Sequence, residues 1–196
     1  LFRSKSRVDI PKDKLWNQRH LNSSILQGVL QGDKIDTIAD RLQQVTDMDR
    51  KAAVRNARTM MTGAQNGGRL DAFQRAKALG IDVKKQWVAT LDSRTRDSHA
   101  RLDGETVDLD EKFSNGLMKP GDPNGAPEEV YNCSCAMIPQ YPEYPDVNAE
   151  RYDQIAGKNI KYVTYSEWAN YKNSGKLSDE ERLEQQRKYL NIKMIL

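Results

Sequence analysis

Cysteine and long apolar runs are both scarce in this sequence of 196 residues. No window approaches the roughly 20 consecutive apolar residues that a bilayer span needs, and 30% of the residues are charged, so we expect no membrane partner. The first five residues also lack the apolar stretch of a secretion signal. The two cysteines, Cys133 and Cys135, are separated by a single residue, which disfavours an unstrained disulfide. They are therefore interpreted as reduced thiols or metal ligands.

Glutamate is absent before Glu105, so the first part of the chain carries its negative charge on aspartate alone. Residues 1–80 hold 15 Lys and Arg against 8 Asp, a net charge of +7, whereas residues 81–196 hold 16 against 20, a net charge of −4. The total of +3 hides this asymmetry. A basic half joined to a mildly acidic half indicates an anionic partner for the first half, with nucleic acid the leading candidate.

Apolar residues between positions 11 and 80 recur at spacings of three and four, which is the period of an amphipathic helix. Pro11 suits a first helical turn, Gly32 and Asp33 interrupt the pattern, and Asp47 or Asp49 can cap a further segment. Three helices are therefore predicted before residue 80. Residues 62–68 are poor in helix formers, so the third helix is interpreted as continuous with a weakened middle, and a break there is the alternative.

After residue 80 the pattern changes to short runs of β-branched and aromatic residues, which favour strands. A long loop rich in glycine and proline interrupts them over residues 114–128, and a loop of that length is usually functional or held in place. The predicted elements are strands over 85–91, 105–109 and 130–138, a polar helix or turn over 93–101, an extended linker over 140–145, and helices over 164–174 and 178–190.

These elements predict an α+β protein with a helical N-terminal half, a small mixed domain of short strands and a helical C-terminal tail. The corresponding regions are a basic helical region over residues 1–80, a small α+β domain over 81–140, and a linker and tail over 141–196.

The densest group of chemically active residues surrounds His99, with Asp92 and Asp97 before it and the two cysteines about 30 residues later. One imidazole, two thiols and a carboxylate meet the ligand count of a tetrahedral structural zinc site. On a strand, Cys133 and Cys135 would share one face, because side chains alternate. The alternative is that both cysteines are core residues and His99 is a hydrogen-bonded turn residue.

The same residues also allow an enzymatic interpretation. In a metal-dependent nuclease or hydrolase, His99 would act as general base while Asp92, Asp97 and Asp103 held Mg²⁺. A thiol nucleophile paired with His99 is a further alternative, but the sequence does not indicate which cysteine would be activated.

Basic side chains recur at helical spacing in the third predicted helix and can follow a phosphate backbone without reading bases. The alternative is a solvated face, or one matched to an acidic protein surface. The candidate nucleic-acid contacts are Arg50, Lys51, Arg55, Arg58, Arg69 and Arg75.

Four segments in combination resemble the minor head, or head morphogenesis, proteins of tailed bacteriophages related to the Mu F protein. They are residues 87–99 (Trp-Val-Ala-Thr-Leu-Asp-Ser-Arg-Thr-Arg-Asp-Ser-His), Leu102-Asp103-Gly104, the Pro120-Gly121-Asp122-Pro123 loop and Asn132-Cys133-Ser134-Cys135. Upstream, Arg58-Thr59-Met60, Asn66 and Gly68-Arg69-Leu70 also resemble that family, so the likeness covers roughly residues 45–140. Residues 162–168 extend it to about residue 170.

The resemblance implies a non-enzymatic virion protein inside the phage head that associates with the portal. Such proteins act in head assembly and in DNA packaging or ejection, so the expected partners are the portal protein, the major capsid or scaffolding protein, and double-stranded DNA without sequence preference. The expected localisation is the virion, with the host cytoplasm during assembly. Many relatives resemble zinc binders, with a Cys-x-x-Cys where this chain has Arg96 and His99 and a His where it has Val130. The implied zinc ligands here are Asp92, His99, Cys133 and Cys135.

Overall fold

A computed structural model describes residues 11–45, 48–143 and 149–174 of the chain. Three helices open it: α1 (Pro11–Gln31), α2 (Ile35–Val45) and α3 (Arg50–Ala78). This confirms the three predicted helices, and Asp49 caps α3 by accepting a hydrogen bond from the Ala52 main-chain N–H at 2.9 Å. The apolar faces of the helices form one buried cluster: Ile25, Ile38, Ala39, Leu42, Ala53 and Ala57.

Helix α3 runs without a break through its glycine-containing middle, as predicted. A Cβ atom on Gly63 would lie 2.7 Å from the carbonyl oxygen of Gly121, so the helix backbone touches the backbone of the long loop at this point. Gly121 has a positive φ of 72°, a conformation that favours glycine. Gly63, one of the glycines that weaken the middle of the helix, is therefore the residue that lets the loop pack against α3.

A three-stranded antiparallel sheet follows, formed by β1 (Lys84–Val88), β2 (Thr106–Val107) and β3 (Ala136–Gln140) in the order β2-β1-β3. Trp87 is paired with Met137 and both are buried. The third predicted strand was placed too early. Pro127 begins a short helix, α5 (Pro127–Val130), and Asn132 adopts a positive φ of 55°, so the chain enters the sheet only at Ala136.

The other described elements are α4 (Asp97–Leu102), the antiparallel hairpin of β4 (Glu150–Asp153) and β5 (Lys158–Lys161), and α6 (Tyr165–Ser174). Helix α6 confirms the predicted helix over 164–174. The hairpin was not predicted from the sequence. The predicted helix over 178–190 lies outside the described residues, as do residues 144 and 145 of the predicted linker. Within the described ranges, no helix is both long and apolar enough to cross a membrane.

A buried ion pair attaches the hairpin to the sheet. The Arg151 guanidinium on β4 donates to both carboxylate oxygens of Asp103, at 2.8 and 3.2 Å, and the two side chains are 6% and 1% exposed. The Asp103 carboxylate also accepts hydrogen bonds from the main-chain N–H groups of Ala89 and Tyr165. Both carboxylate oxygens of Asp103 thus have hydrogen-bond partners. A buried ion pair holds neighbouring elements together when its polar atoms are satisfied in this way.

A buried lysine holds the long loop against β1. Lys85 is fully buried, and its ammonium donates to the carbonyl oxygens of Leu109 at 3.0 Å and Met118 at 2.9 Å. It also lies 5.3 Å from the centre of the Phe113 ring. Burial lowers the pKa of Lys85, since the charged form loses water, and the nearby carboxylates of Asp110 and Asp122 oppose this effect.

The close approach of α3 to the loop predicts opposite effects for two glycine substitutions in one helix. Gly63→Ala should destabilise the protein by about 1–3 kcal/mol, because the new methyl group collides with the Gly121 backbone. Gly68→Ala is the matched control, since a Cβ there meets nothing within 4 Å, and it should stabilise by roughly 0.5–1 kcal/mol. Denaturant unfolding midpoints measure both, and changes of the same sign would contradict the docking contact.

The carboxylate of Asp153 predicts an acid-sensitive contact between the hairpin and α6. It accepts hydrogen bonds from the Trp168 indole at 2.9 Å and from the main-chain N–H groups of Ile155 and Ala156. Burial acts to raise the pKa of Asp153, but these bonds and the bond from Lys172 outweigh it and hold the pKa below its usual value.

Because the folded-state pKa is lowered, the stabilisation from Asp153 is fully present above the ordinary carboxyl pKa of about 3.9 and is lost as pH falls through the folded value. Asp153→Asn should cost about 1–3 kcal/mol at neutral pH, with the difference from wild type shrinking below pH of about 4. Unfolding followed by tryptophan fluorescence across pH measures this. Asp71→Asn, on an exposed helical pair, is the control and should change stability by about 0.5 kcal/mol or less. A pH-independent difference for Asp153→Asn would contradict the assignment.

Candidate metal centre and basic surface

His99, Cys133 and Cys135 are buried together beside Trp87. Nδ1 of His99, on α4, lies 3.7 Å from Sγ of Cys133 and 3.5 Å from Sγ of Cys135. One ligand atom from each residue lies within 4.8 Å of the others, and all three side chains are buried. This group can therefore hold a metal ion. The Trp87 ring packs edge-on against the imidazole, at 5.2 Å between ring centres.

Three side chains of α3 hold the segment that carries the cysteines. Thr59 Oγ1 accepts a hydrogen bond from the Asn132 N–H at 3.1 Å, and Thr62 Oγ1 donates to the Cys133 carbonyl at 2.6 Å. The buried amide of Asn66 donates to the Cys135 carbonyl at 3.1 Å. Successive carbonyl and N–H groups of this irregular segment are thus satisfied by the helix, which explains how both thiols can point inward without a strand.

The other nitrogen of His99 faces a carboxylate. Nε2 lies 2.9 Å from Oε2 of Glu129, on α5, and the same oxygen accepts hydrogen bonds from Ser98 Oγ at 3.2 Å and Asn115 Nδ2 at 3.4 Å. Burial acts to raise the pKa of Glu129, but the bond from Ser98, the charge of His99 and the bond from Asn115 outweigh it and hold the pKa below its usual value. Both imidazole nitrogens are therefore engaged.

The two thiols are electrostatically unequal. A hydrogen bond from the Cys135 thiol lowers the pKa of Cys133 against the opposing effect of burial, with further lowering from the Cys135 main-chain N–H and Arg96. The same bond, together with burial, raises the pKa of Cys135. Cys133 is thus the more readily ionised thiol, but it is only 2% exposed, which is unfavourable for a nucleophile that must meet a substrate.

The structure does not bring the predicted aspartates to this cluster. The Asp92 carboxylate accepts hydrogen bonds from the main-chain N–H groups of Arg94 at 2.9 Å and Thr95 at 2.7 Å, so it closes its own turn. Asp97 is exposed in the first turn of α4. Within the described part of the chain, neither joins the ligand group of His99 and the cysteines. The predicted arrangement, with Asp92, Asp97 and Asp103 holding Mg²⁺ beside His99 as general base, is likewise not assembled there, and Asp103 is paired with Arg151.

The six basic residues predicted to contact nucleic acid divide into two groups. Arg50 pairs with Asp36 and Asp40, Arg75 pairs with Asp71, and Arg69 donates to the Asn66 side chain. The second group consists of Lys51, Arg55 and Arg58, which are exposed at helical spacing and form no ion pair among the residues that the structure describes. We call these three residues the basic face of α3.

The basic face continues onto the segment that precedes the cysteines. The Arg55 guanidinium lies over the Tyr131 ring, 5.1 Å from its centre, and Arg96 donates to the Tyr131 carbonyl. Tyr131 is 43% exposed. The surface thus combines cationic side chains with an exposed aromatic ring only two residues from Cys133.

Sequence reasoning missed Glu129, Asn66 and Lys85. A signal for Glu129 was present, because Pro127 followed by two acidic residues is the pattern of a helix N-terminus. That pattern places Glu129 on a helical turn just before Cys133. Asn66 belongs to the segments that resemble the family, but neither it nor Lys85 gave a local signal of its role, since these roles depend on contacts with residues 24 or more positions away.

The fold and the site define a small α+β module in which one long helix both bears a basic face and holds a buried cluster of one histidine and two cysteines. Residues 19–138 match the family described as Phage Mu protein F like protein, and the chain belongs to this family. The resemblance inferred from the sequence motifs is thereby confirmed.

Two curated relatives show similar identity. The chain is 33% identical over 154 residues to minor head protein GP7 of Bacillus phage SPP1, covering 76% of this chain and 49% of the relative. It is 32% identical over 154 residues to the NAD(+)–arginine ADP-ribosyltransferase EFV of Enterococcus faecalis, covering 76% of this chain and 31% of that protein. The uncharacterized protein YqbB of Bacillus subtilis is 26% identical over 133 residues, covering 64% of this chain and 43% of the relative.

The chain thus spans between about a third and half of the length of these relatives. No solved structure matches it.

Proposed function

We propose that this chain acts without catalysis as a minor head protein in phage head morphogenesis. Family membership and the likeness to a minor head protein support this role. In this role the protein lies inside the virion head, after assembly in the host cytoplasm. It associates with the portal and with the major capsid or scaffolding protein, and it acts in head assembly and in DNA packaging or ejection.

The basic face of α3 is the observation that carries the proposed contact with packaged DNA. Lys51, Arg55 and Arg58 present three charges along one side of a helix, and none has a carboxylate partner within the described ranges. Charges spaced in this way can neutralise successive phosphates without reading bases, which gives binding without sequence preference. An acidic surface of the portal protein is the alternative partner for the same face.

The buried cluster supports a structural zinc ion. With Zn–S bonds of about 2.3 Å and Zn–N bonds of about 2.0 Å, the nitrogen–sulfur edge of a tetrahedral site is roughly 3.6 Å. The observed Nδ1–Sγ distances of 3.5 and 3.7 Å fit that edge. His99, Cys133 and Cys135 would hold the ion, which would supply a cross-link between α4 and the segment entering β3.

A metal-dependent nuclease is the less favoured function. His99 is 1% exposed and its Nδ1 lies against the buried Cys135 sulfur, so it is shielded from the water whose proton a general base would accept. The ADP-ribosyltransferase activity in the name of one relative belongs to a protein of which this chain covers 31%. We do not extend that activity to this chain.

The zinc proposal predicts about one zinc ion per purified chain by elemental mass spectrometry. The Cys133→Ser, Cys135→Ser double variant should lose the metal, since hydroxyl groups replace both thiolate ligands. Asp92→Asn tests whether Asp92 is a fourth ligand beside His99 and the two cysteines. We expect this variant to retain zinc, because the Asp92 carboxylate closes its own turn. Absence of metal in the wild type would make His99 and the cysteines core residues, and loss of zinc in Asp92→Asn would restore Asp92 as a ligand.

The DNA proposal predicts salt-sensitive binding to double-stranded DNA of arbitrary sequence. In a salt titration, the Arg55→Ala, Arg58→Ala variant should lower the slope of log affinity against log salt by about two, roughly 0.9 for each lost phosphate contact. The matched control is Arg75→Ala, Lys77→Ala, which removes the same charge from positions already paired with Asp71 and Asp110.

We expect the control variant to keep a slope close to that of the wild type. Equal losses in both variants would show that net charge rather than the basic face determines binding. Undetectable or salt-independent binding by the wild type would leave the portal as the partner of this face.

A further inference from the structure

We propose that Glu129 is a positioning residue that fixes the tautomer of His99, so that the Nδ1 lone pair is directed at the two cysteine sulfurs. This inference rests on the proposed metal site for its consequence, but its geometry concerns residues of this chain alone. Neither the sequence motifs nor the family match assigned a role to Glu129.

The two nitrogens of His99 face different partners. The carboxylate oxygen of Glu129 lies 2.9 Å from Nε2 of His99, whereas both sulfurs lie on the Nδ1 side at 3.5 and 3.7 Å. A neutral imidazole carries one N–H and one lone pair. An ionised carboxylate only accepts, so Nε2 must carry the hydrogen and Nδ1 the lone pair.

Glu129 is itself held in place by further hydrogen bonds. Its Oε2 atom also accepts hydrogen bonds from Ser98, the residue before His99, and from Asn115 in the long loop. Three donors, two on adjacent residues of α4 and one in the long loop, therefore converge on one oxygen. This arrangement fixes the carboxylate in place, so it orients the imidazole ring as well as selecting its tautomer.

The hydrogen bond from His99 to Glu129 also affects metal binding. A histidine ligand presents a lone pair to the metal and donates its other N–H to an outer partner, and loss of such partners costs roughly 10- to 100-fold in metal affinity. Among the residues that the structure describes, Glu129 is the hydrogen-bond partner of Nε2, so its removal takes away the acceptor that holds the hydrogen there. The Nδ1–H tautomer then becomes competitive, because it can donate to a cysteine sulfur.

The tautomer can be read directly and without metal. The chain has two histidines, so comparison with His20→Gln assigns the His99 signals in a long-range proton–nitrogen correlation spectrum. Recorded on metal-free protein, the wild type should show the Nε2–H form wherever the imidazole is neutral. Glu129→Ala should shift the population toward Nδ1–H.

Zinc affinity, measured by competition with a chromophoric chelator, provides the second readout. Glu129→Ala should bind zinc roughly 10- to 100-fold more weakly than the wild type. Glu129→Gln should lose less, because its carbonyl oxygen can still accept the Nε2 hydrogen bond. The matched control is Glu128→Gln, an exposed neighbour in the same short helix, which should leave both readouts unchanged.

The two readouts separate the tautomer proposal from the zinc proposal. An Nδ1–H tautomer in the wild type would overturn the role of Glu129, as would unchanged zinc affinity in Glu129→Ala or an equal loss in Glu128→Gln. If the wild type binds no zinc, the zinc proposal fails, whereas a shift from Nε2–H to Nδ1–H in Glu129→Ala would still support the role of Glu129.

Discussion

Asn66 lies buried on the inner side of α3, where its amide donates to the carbonyl oxygens of Pro120 at 3.3 Å and Cys135 at 3.1 Å. Its side-chain oxygen accepts the main-chain N–H of Met137 at 3.1 Å. One side chain thus provides hydrogen-bond partners for main-chain groups of the long loop, the cysteine segment and the start of β3. A buried main-chain group without a partner costs about 1–3 kcal/mol, so the irregular segment depends on this amide being in place. The docking of α3 therefore determines where Cys133 and Cys135 point.

The close contact at Gly63 is the steric counterpart of that polar contact. The helix backbone touches Gly121 one turn before Asn66, and Asn66 reaches the carbonyl oxygen of the neighbouring Pro120. From the sequence, glycine in a helix indicates weakness or a break, and the continuous apolar spacing favoured one long helix. The helix was predicted correctly because the apolar period continues through it. The reason for its glycine was not predictable, since it lies in a loop 58 positions later.

The convergence of His99 and the cysteines was predicted, but for a reason that the structure replaces. Strand alternation would have placed both thiols on one face, whereas β3 begins only after Cys135. The inward direction comes instead from a left-handed residue, Asn132, and from hydrogen bonds to α3. The hairpin of β4 and β5 was missed because its inward residues, Arg151 and Asp153, are charged. Local polarity patterns cannot identify a charged residue that is buried with a distant partner such as Asp103.

The arrangement of the cluster favours a structural role over a catalytic one. A catalytic metal keeps a coordination position open to water and substrate, whereas here Trp87 packs against the imidazole and all three ligand side chains are buried, so a fourth position beside them would be shielded from bulk water. The cluster instead helps to fix the position of the neighbouring surface residues. Tyr131 is two residues from Cys133, and it lies under Arg55 and accepts a hydrogen bond from Arg96. Since α3 holds this segment through Thr59 and Thr62, the same contacts that set the thiols also set the aromatic part of the basic surface. A fixed surface loses less conformational entropy on binding an extended partner than a mobile one does, which is the physical advantage that the proposed zinc cross-link would give to the proposed binding surface.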